Sequence, residues 1–100
     1  QQWQTTAGSL SSLVLQRDLP LPVLEDPNFV LVRVTNSGIN FADIFACLGL
    51  YSATPKGTFT PGLEFSGIIE EISNSQHVSH SFKKGDRVMG VTRFDGYSSH

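Results

Sequence analysis

The side chains able to do chemistry gather in two stretches, "GINFADIFACLGLY" at residues 38–51 and "TPGLEFSGIIEEI" at residues 60–72. The first offers the Asn40 amide, the Asp43 carboxylate, the Cys47 thiol and the Tyr51 phenol. The second offers Glu64, directly after Leu63 in a Gly-Leu-Glu step. A histidine at position 63 would read as a metal ligand. Leucine has no donor atom, and a neutral asparagine is a poor ligand for zinc. Cys47 is the single cysteine, so neither an internal disulfide nor a cysteine zinc cluster can form. It lies between apolar neighbours with no basic residue beside it, the setting of an inert buried thiol. His77 and His80 are separated by two residues in a polar loop. Without a third ligand they read as solvated imidazoles, and no metal site is expected.

The elements that must position these groups follow from the hydrophobic periods. In "FVLVRVTNSG" the residues Val30, Val32 and Val34 alternate with Arg33 and Thr35, which predicts a strand whose even positions line the core. The period then changes. Phe41, Ile44, Phe45 and Leu48 fall at i, i+3, i+4 and i+7, so a short helix near residues 40–48 is predicted with that face apolar. Asn40 is a good N-cap, Asp43 three residues on completes a box-like pair, and Gly49 suits the left-handed position after the helix.

The remaining segments are read by their punctuation. "SLVLQRDL" is a short strand. "LPLPVLEDPN" holds three prolines and is extended, outside any central ladder. "YSATPKGTFTPG" is a loop, with Pro61 and Gly62 the central pair of a type II turn. "LEFSGIIEEI" is a strand whose alternation breaks at Gly67, a bulge or a close backbone approach. "SNSQHVSHSFKKGD" is a surface loop closing on a Gly85-Asp86 turn, "RVMGV" is a strand, and "FDGYSSH" leads into a further one. Many short strands with one short helix predict a mainly β fold, a partly open β-barrel.

The bulk properties exclude several classes. A chain of 100 residues fits one domain with one modest core. A net charge of −2 gives no basic excess for a phosphate backbone, so nucleic acid is not an expected partner. The apolar runs fall far short of the roughly 20 residues of a membrane helix, so no transmembrane segment is expected. The opening "QQWQTTAGSL" has no basic n-region and no long apolar core, so no secretory signal is read there. The lone cysteine favours a reducing compartment, and the expected location is cytoplasmic.

Four pieces in this order, "GINFADIFACLGLY", "TPGLEFSGIIEEI", "FKKGDRVMG" and "DGYSSH", resemble the N-terminal, GroES-like domain of the medium-chain dehydrogenase/reductases. The resemblance spans roughly residues 13 to 100. Zinc-dependent members place a cysteine and a histidine where this chain has Asn40 and Leu63. The sequence is therefore similar to the zinc-independent branch, the quinone oxidoreductase-like proteins that include zeta-crystallin. That resemblance implies the substrate-side domain of an NADPH-dependent reductase of quinones or α,β-unsaturated carbonyls, without zinc. It implies a C-terminal Rossmann domain as partner, with the cofactor in the cleft between the two. Asn40 and Tyr51 are the implied cofactor-binding residues. For Asn40 a plain N-cap is the competing reading, and for Tyr51 a half-buried loop aromatic. Glu64 is expected to act as a structural acceptor, Leu63 to pack under the cleft floor, and Arg87 to make an edge ion pair or support a turn.

No G-x-G-x-x-G follows a strand, so the Rossmann half is absent from this chain. Residues 1–100 are therefore expected to be one GroES-like domain, a fragment of a longer two-domain reductase. No catalytic residue is assigned, and a homodimer stays open. Two alternatives remain: an enoyl reductase module of a fatty-acid or polyketide synthase, and a non-enzymatic, stand-alone co-chaperonin-like barrel. Ala42 stands where the enoyl reductases would carry arginine, which disfavours the first.

Overall fold

The computed structural model describes residues 1–73 and 81–100. His77 and His80 lie outside the described residues. The elements are β1 (Gln2–Thr6), a 3-10 turn (Leu10–Ser12), β2 (Val14–Gln16), β3 (Val30–Ser37), α1 (Phe41–Cys47), β4 (Thr58–Phe59), β5 (Glu64–Ile72) and β6 (Arg87–Val91). They form two antiparallel three-stranded sheets, ordered β2-β1-β4 and β3-β5-β6.

The segment 97–99 sews the sheets together. Trp3 N donates to the Tyr97 carbonyl at 2.9 Å, and Val34 N donates to the Ser99 carbonyl at 2.8 Å. The first bond reaches β1 in one sheet and the second reaches β3 in the other. The strand expected after "FDGYSSH" is thus a single bridge, Gln2 to Ser98, on an extended segment. The chain is mainly β, as expected, and is built as two small sheets joined along a seam.

β3 departs from the simple alternation. Leu31 is buried at an odd position, while Val30, Val32 and Val34 are half-buried. The register against β5 shifts between Leu31 and Val32 and again between Val34 and Asn36. Between Leu31 and Val32 the extra residue is Glu70 on β5, and between Val34 and Asn36 it is Thr35 on β3, so the two strands change inward parity at different points. Gly67 lies opposite Val34, where a Cβ would sit 2.4 Å from the Arg33 carbonyl oxygen. The broken alternation at Gly67 therefore marks a close backbone approach.

Two elements are new relative to the sequence reading, and one shortens. β1 forms from a mostly polar run and buries Thr5 while leaving Trp3 41% exposed. β4 lies inside the predicted loop and pairs Thr58 and Phe59 with Thr6 and Thr5. The strand predicted over "SLVLQRDL" is confined to Val14–Gln16. Leu31, Ala46, Cys47, Phe59 and Ile69 form the buried apolar core, and Phe59 meets Phe94 edge-on at 5.6 Å between ring centres.

Candidate functional site

α1 forms where predicted, with Asn40 as N-cap in an extended conformation, Leu48 as C-cap and Gly49 at φ +75°. A seven-residue helix has little stability of its own, so tertiary contacts must hold it. The apolar stripe is split: Phe41 is 79% exposed and Phe45 48%, while Ile44 and Leu48 are half-buried. The inward face is Asp43, Ala46 and Cys47, again at i, i+3 and i+4. Small side chains let the helix approach the sheets closely, and Gly8 N donates to the Cys47 carbonyl at 2.9 Å.

Asp43 is the centre of this contact. It is buried, and its Oδ2 accepts from Asn40 N at 2.8 Å and from the Tyr97 hydroxyl at 3.0 Å. Its Oδ1 accepts from Gly62 N at 3.1 Å. A buried carboxylate is tolerable when donors surround it in this way. Burial, then the Asp43 hydrogen bond and charge, raise the Tyr97 phenol far above its ordinary range. Burial also pushes the Cys47 thiol up, helped by the Asp43 charge and opposed by a backbone hydrogen bond. The thiol is 3% exposed, in keeping with the inert reading.

The turn carrying Leu63 is fixed from the other side. Gly62 has φ +104°, as a type II turn requires, but the Thr60 carbonyl accepts from Asp95 N at 3.0 Å. The Pro61 carbonyl accepts from Tyr97 N at 2.9 Å, the Gly62 carbonyl from Gly96 N at 3.0 Å, and the Leu63 carbonyl from Thr92 N at 2.8 Å. Residues 60–63 are thus stitched to residues 92–97. Leu63 is half-buried. Glu64 is exposed and its carboxylate packs against Gly38, where a Cβ would lie 1.8 Å from Oε1. Neither Glu64 nor Arg87 has an ion pair among the described residues; the pairs present join Glu70 to Arg33 at 2.9 Å and to His100 at 3.0 Å.

Asn40 and Tyr51 sit at opposite ends of α1, separated by roughly 10 Å of helix at 1.5 Å per residue. No hydrogen bond joins them. Asn40 is half-buried, and Tyr51 is 37% exposed on the loop after the helix, its carbonyl accepting from Thr54 N at 3.0 Å. Between and beside them lie Phe41, Phe45, Ile39 at 81% exposure and Leu50 at 72%. Two grooves lie beside the segment that leads into α1. One, of about 520 Å³, runs along Trp3, Leu15, Val34, Ile39 and Tyr97. The other, of about 560 Å³, runs along Gly38, Glu64, Phe65, Met89 and Val91. Neither is lined by Asn40, Tyr51 or Leu63. Among the described residues no group of three or more His, Cys, Asp or Glu side chains is placed to hold a metal ion, and no helix is long and apolar enough to cross a membrane.

Sequence reasoning read Asp43 as a cap partner and assigned Tyr97 no role. The signal for Asp43 was its spacing from Asn40. Nothing in the sequence placed Gly62 and Tyr97 around the same carboxylate.

Two small antiparallel sheets carrying a short helix, with its N-cap and a Pro-Gly turn pinned together, define a GroES-like domain of the medium-chain oxidoreductase type. The chain belongs to the alcohol dehydrogenase GroES-like domain family, which it matches over residues 26–99. It is 49% identical over 82 residues to quinone oxidoreductase-like protein 2 of Mus musculus, covering 82% of this chain and 22% of that protein. It is 39% identical over 89 residues to the quinone oxidoreductase of Sus scrofa, covering 89% of this chain and 26% of that one. The solved structure of a probable oxidoreductase from Mycobacterium abscessus superposes with a TM-score of 0.82 at 28% identity, over 98% of this chain and 30% of that chain. The chain therefore spans about a quarter of the length of the curated relatives it matches.

Proposed function

We propose that residues 1–100 are the substrate-side domain of a longer, zinc-independent, NADPH-dependent reductase of quinones or α,β-unsaturated carbonyls, working in the cytoplasm. One observation supports the reading: α1 leaves Phe41 and Phe45 exposed, with Asn40 just before the helix and the exposed Leu50 and Tyr51 just after it. A domain completed by a second, Rossmann-type domain has a use for such a face. A stand-alone barrel has none. The names of the relatives support the same class.

The residues present fit one end of a nicotinamide cofactor. The Asn40 amide and the Tyr51 phenol both donate and accept hydrogen bonds. Phe41, Phe45 and Leu50 would keep water from the space beside them. The pyrophosphate has no comparable seat here, since no glycine-rich turn leads into a helix. NADPH, when bound, supplies the hydride. This chain's part is to hold the acceptor and the nicotinamide in mutual reach inside a dry cleft. Asn40 and Leu63 stand in place of zinc ligands, so no metal takes part.

NADPH fluorescence titration tests the reading on the full-length protein and on residues 1–100 alone. The full-length protein should bind and the isolated chain should not bind at micromolar cofactor. One phenol hydrogen bond contributes about 0.5–1.5 kcal/mol, so Tyr51→Phe should weaken full-length binding by no more than about tenfold. Tight binding by the isolated chain would overturn the domain assignment. Stoichiometric zinc retained through chelator dialysis would overturn the metal-free mechanism.

A further inference from the structure

A helix cap needs far less than Asp43 provides. Capping is served by the bond from Asn40 N to Oδ2 at 2.8 Å. The other partners, Gly62 N at 3.1 Å and the Tyr97 hydroxyl at 3.0 Å, come from segments 19 and 54 residues away in sequence. They add nothing to the helix itself. They fix the start of α1 against the turn that carries Leu63 and against the seam segment that joins the sheets.

We propose that Asp43 is a positioning residue of the cleft: its carboxylate sets where Asn40 stands relative to Leu63 and Tyr97, and it acts on the bound cofactor only through Asn40. This rests on the cleft reading given above. The carboxylate does not face the outward side of α1; it is 3% exposed and turned into the barrel. Only acceptors suit the place. In Asp43→Asn one side-chain oxygen becomes an NH2, which would then confront the Gly62 or the Asn40 N–H, donor against donor. Tyr97 could rotate its hydroxyl to accept, but a backbone N–H cannot adapt. Asn40 would shift while the fold kept most of its contacts. The Tyr97 phenol is held protonated by burial and by Asp43 itself, so its donor persists throughout the neutral range.

The test is a double-mutant cycle on the full-length protein, reading the NADPH dissociation constant by fluorescence, with circular dichroism and thermal melting to confirm folding. Asn40→Ala should weaken binding by at most about tenfold, the worth of one hydrogen bond. Asp43→Asn should weaken it by no more than Asn40→Ala does. The double variant should then be no weaker than Asn40→Ala alone, because the group through which Asp43 acts is already gone. Tyr97→Phe, which removes one of the three donors and keeps the ring, should show a smaller loss with the same disappearance in the Asn40→Ala background. That variant carries the test if Asp43→Asn does not fold. Losses that multiply in the double variants would overturn the positioning role and leave the cleft reading standing. Unchanged binding in Asn40→Ala would overturn both.

Discussion

Replacing Gly62 by alanine should be among the most damaging small changes available to this chain. The φ of +104° disfavours any L side chain, at a cost of about 1–2 kcal/mol. A Cβ at this place would also sit 2.5 Å from Tyr97 N and 2.7 Å from the Gly96 carbonyl carbon. Those atoms are backbone and cannot swing aside. Relief requires separating residues 60–63 from residues 95–97, which gives up the bonds from Tyr97 N to Pro61 O and from Gly96 N to Gly62 O. Each contributes about 0.5–1.5 kcal/mol. With the conformational strain the loss is about 2–5 kcal/mol, a large share of the roughly 5–15 kcal/mol that stabilises a small domain. Urea unfolding followed through Trp3, the single tryptophan, reads this directly. With a slope of about 1–3 kcal/mol per M, a loss of about 3 kcal/mol lowers the midpoint by roughly 1–3 M. Gly57→Ala is the control. Its φ is +81°, but nothing lies within 4 Å of the added Cβ, so only the strain of about 1–2 kcal/mol should appear. Equal losses at the two glycines would refute the stitched-turn argument.

Tyr97→Phe removes a hydrogen bond to a carboxylate and should cost about 1–2 kcal/mol at neutral pH, less than a fully buried charged bond because the site is only part-buried. It should also change the alkaline limb of stability. The folded phenol keeps its proton above the ordinary 10.0, so the unfolded chain loses its proton first and stability falls as pH rises from about 10. Melting temperatures between pH 8 and 11 should show that fall in the parent chain and a flatter curve in Tyr97→Phe; parallel curves would count against the assignment. Cys47 should react slowly with iodoacetamide at pH 8 in the native chain and quickly in denaturing urea, since its thiol is buried and its ionisation is suppressed. Rapid native labelling would place it elsewhere. Phe41→Ser should change the stability of the 100-residue chain by no more than about 0.5 kcal/mol, as expected for an exposed side chain. A loss above about 2 kcal/mol in urea unfolding would return Phe41 to the core.

The sequence was most legible where period and punctuation agreed. α1 begins and ends where Asn40 and Gly49 say it should, because capping is a local property of the backbone. Its orientation was not readable. Periodicity shows that Phe41, Ile44, Phe45 and Leu48 share a face, but not which body that face meets. The pull came from a carboxylate whose other partners lie at Gly62 and Tyr97, and such long-range contacts leave no periodic trace. β1 escaped notice because "QWQTT" offers one large apolar residue and turns it outward. β4 was too short for alternation to register. β3 was recognised as a strand, and the irregular register it shares with β5 blurred the parity of the inward residues. Of the proposed site residues, Asn40 was read as the N-cap and Tyr51 as following the helix, as found, whereas the carboxylate that bonds the Asn40 backbone, Gly62 and Tyr97 together became visible only in three dimensions.

The two faces of α1 divide what mutation can change. Asp43, Ala46 and Cys47 are small or hydrogen-bonded, and altering them changes whether the helix docks at all. Phe41, Phe45, Ile39 and Leu50 contribute little to the barrel, and altering them changes what the helix presents. Buried and exposed positions are therefore separate within α1 and the residues that flank it. The outward set can be altered without first finding compensating changes in the core.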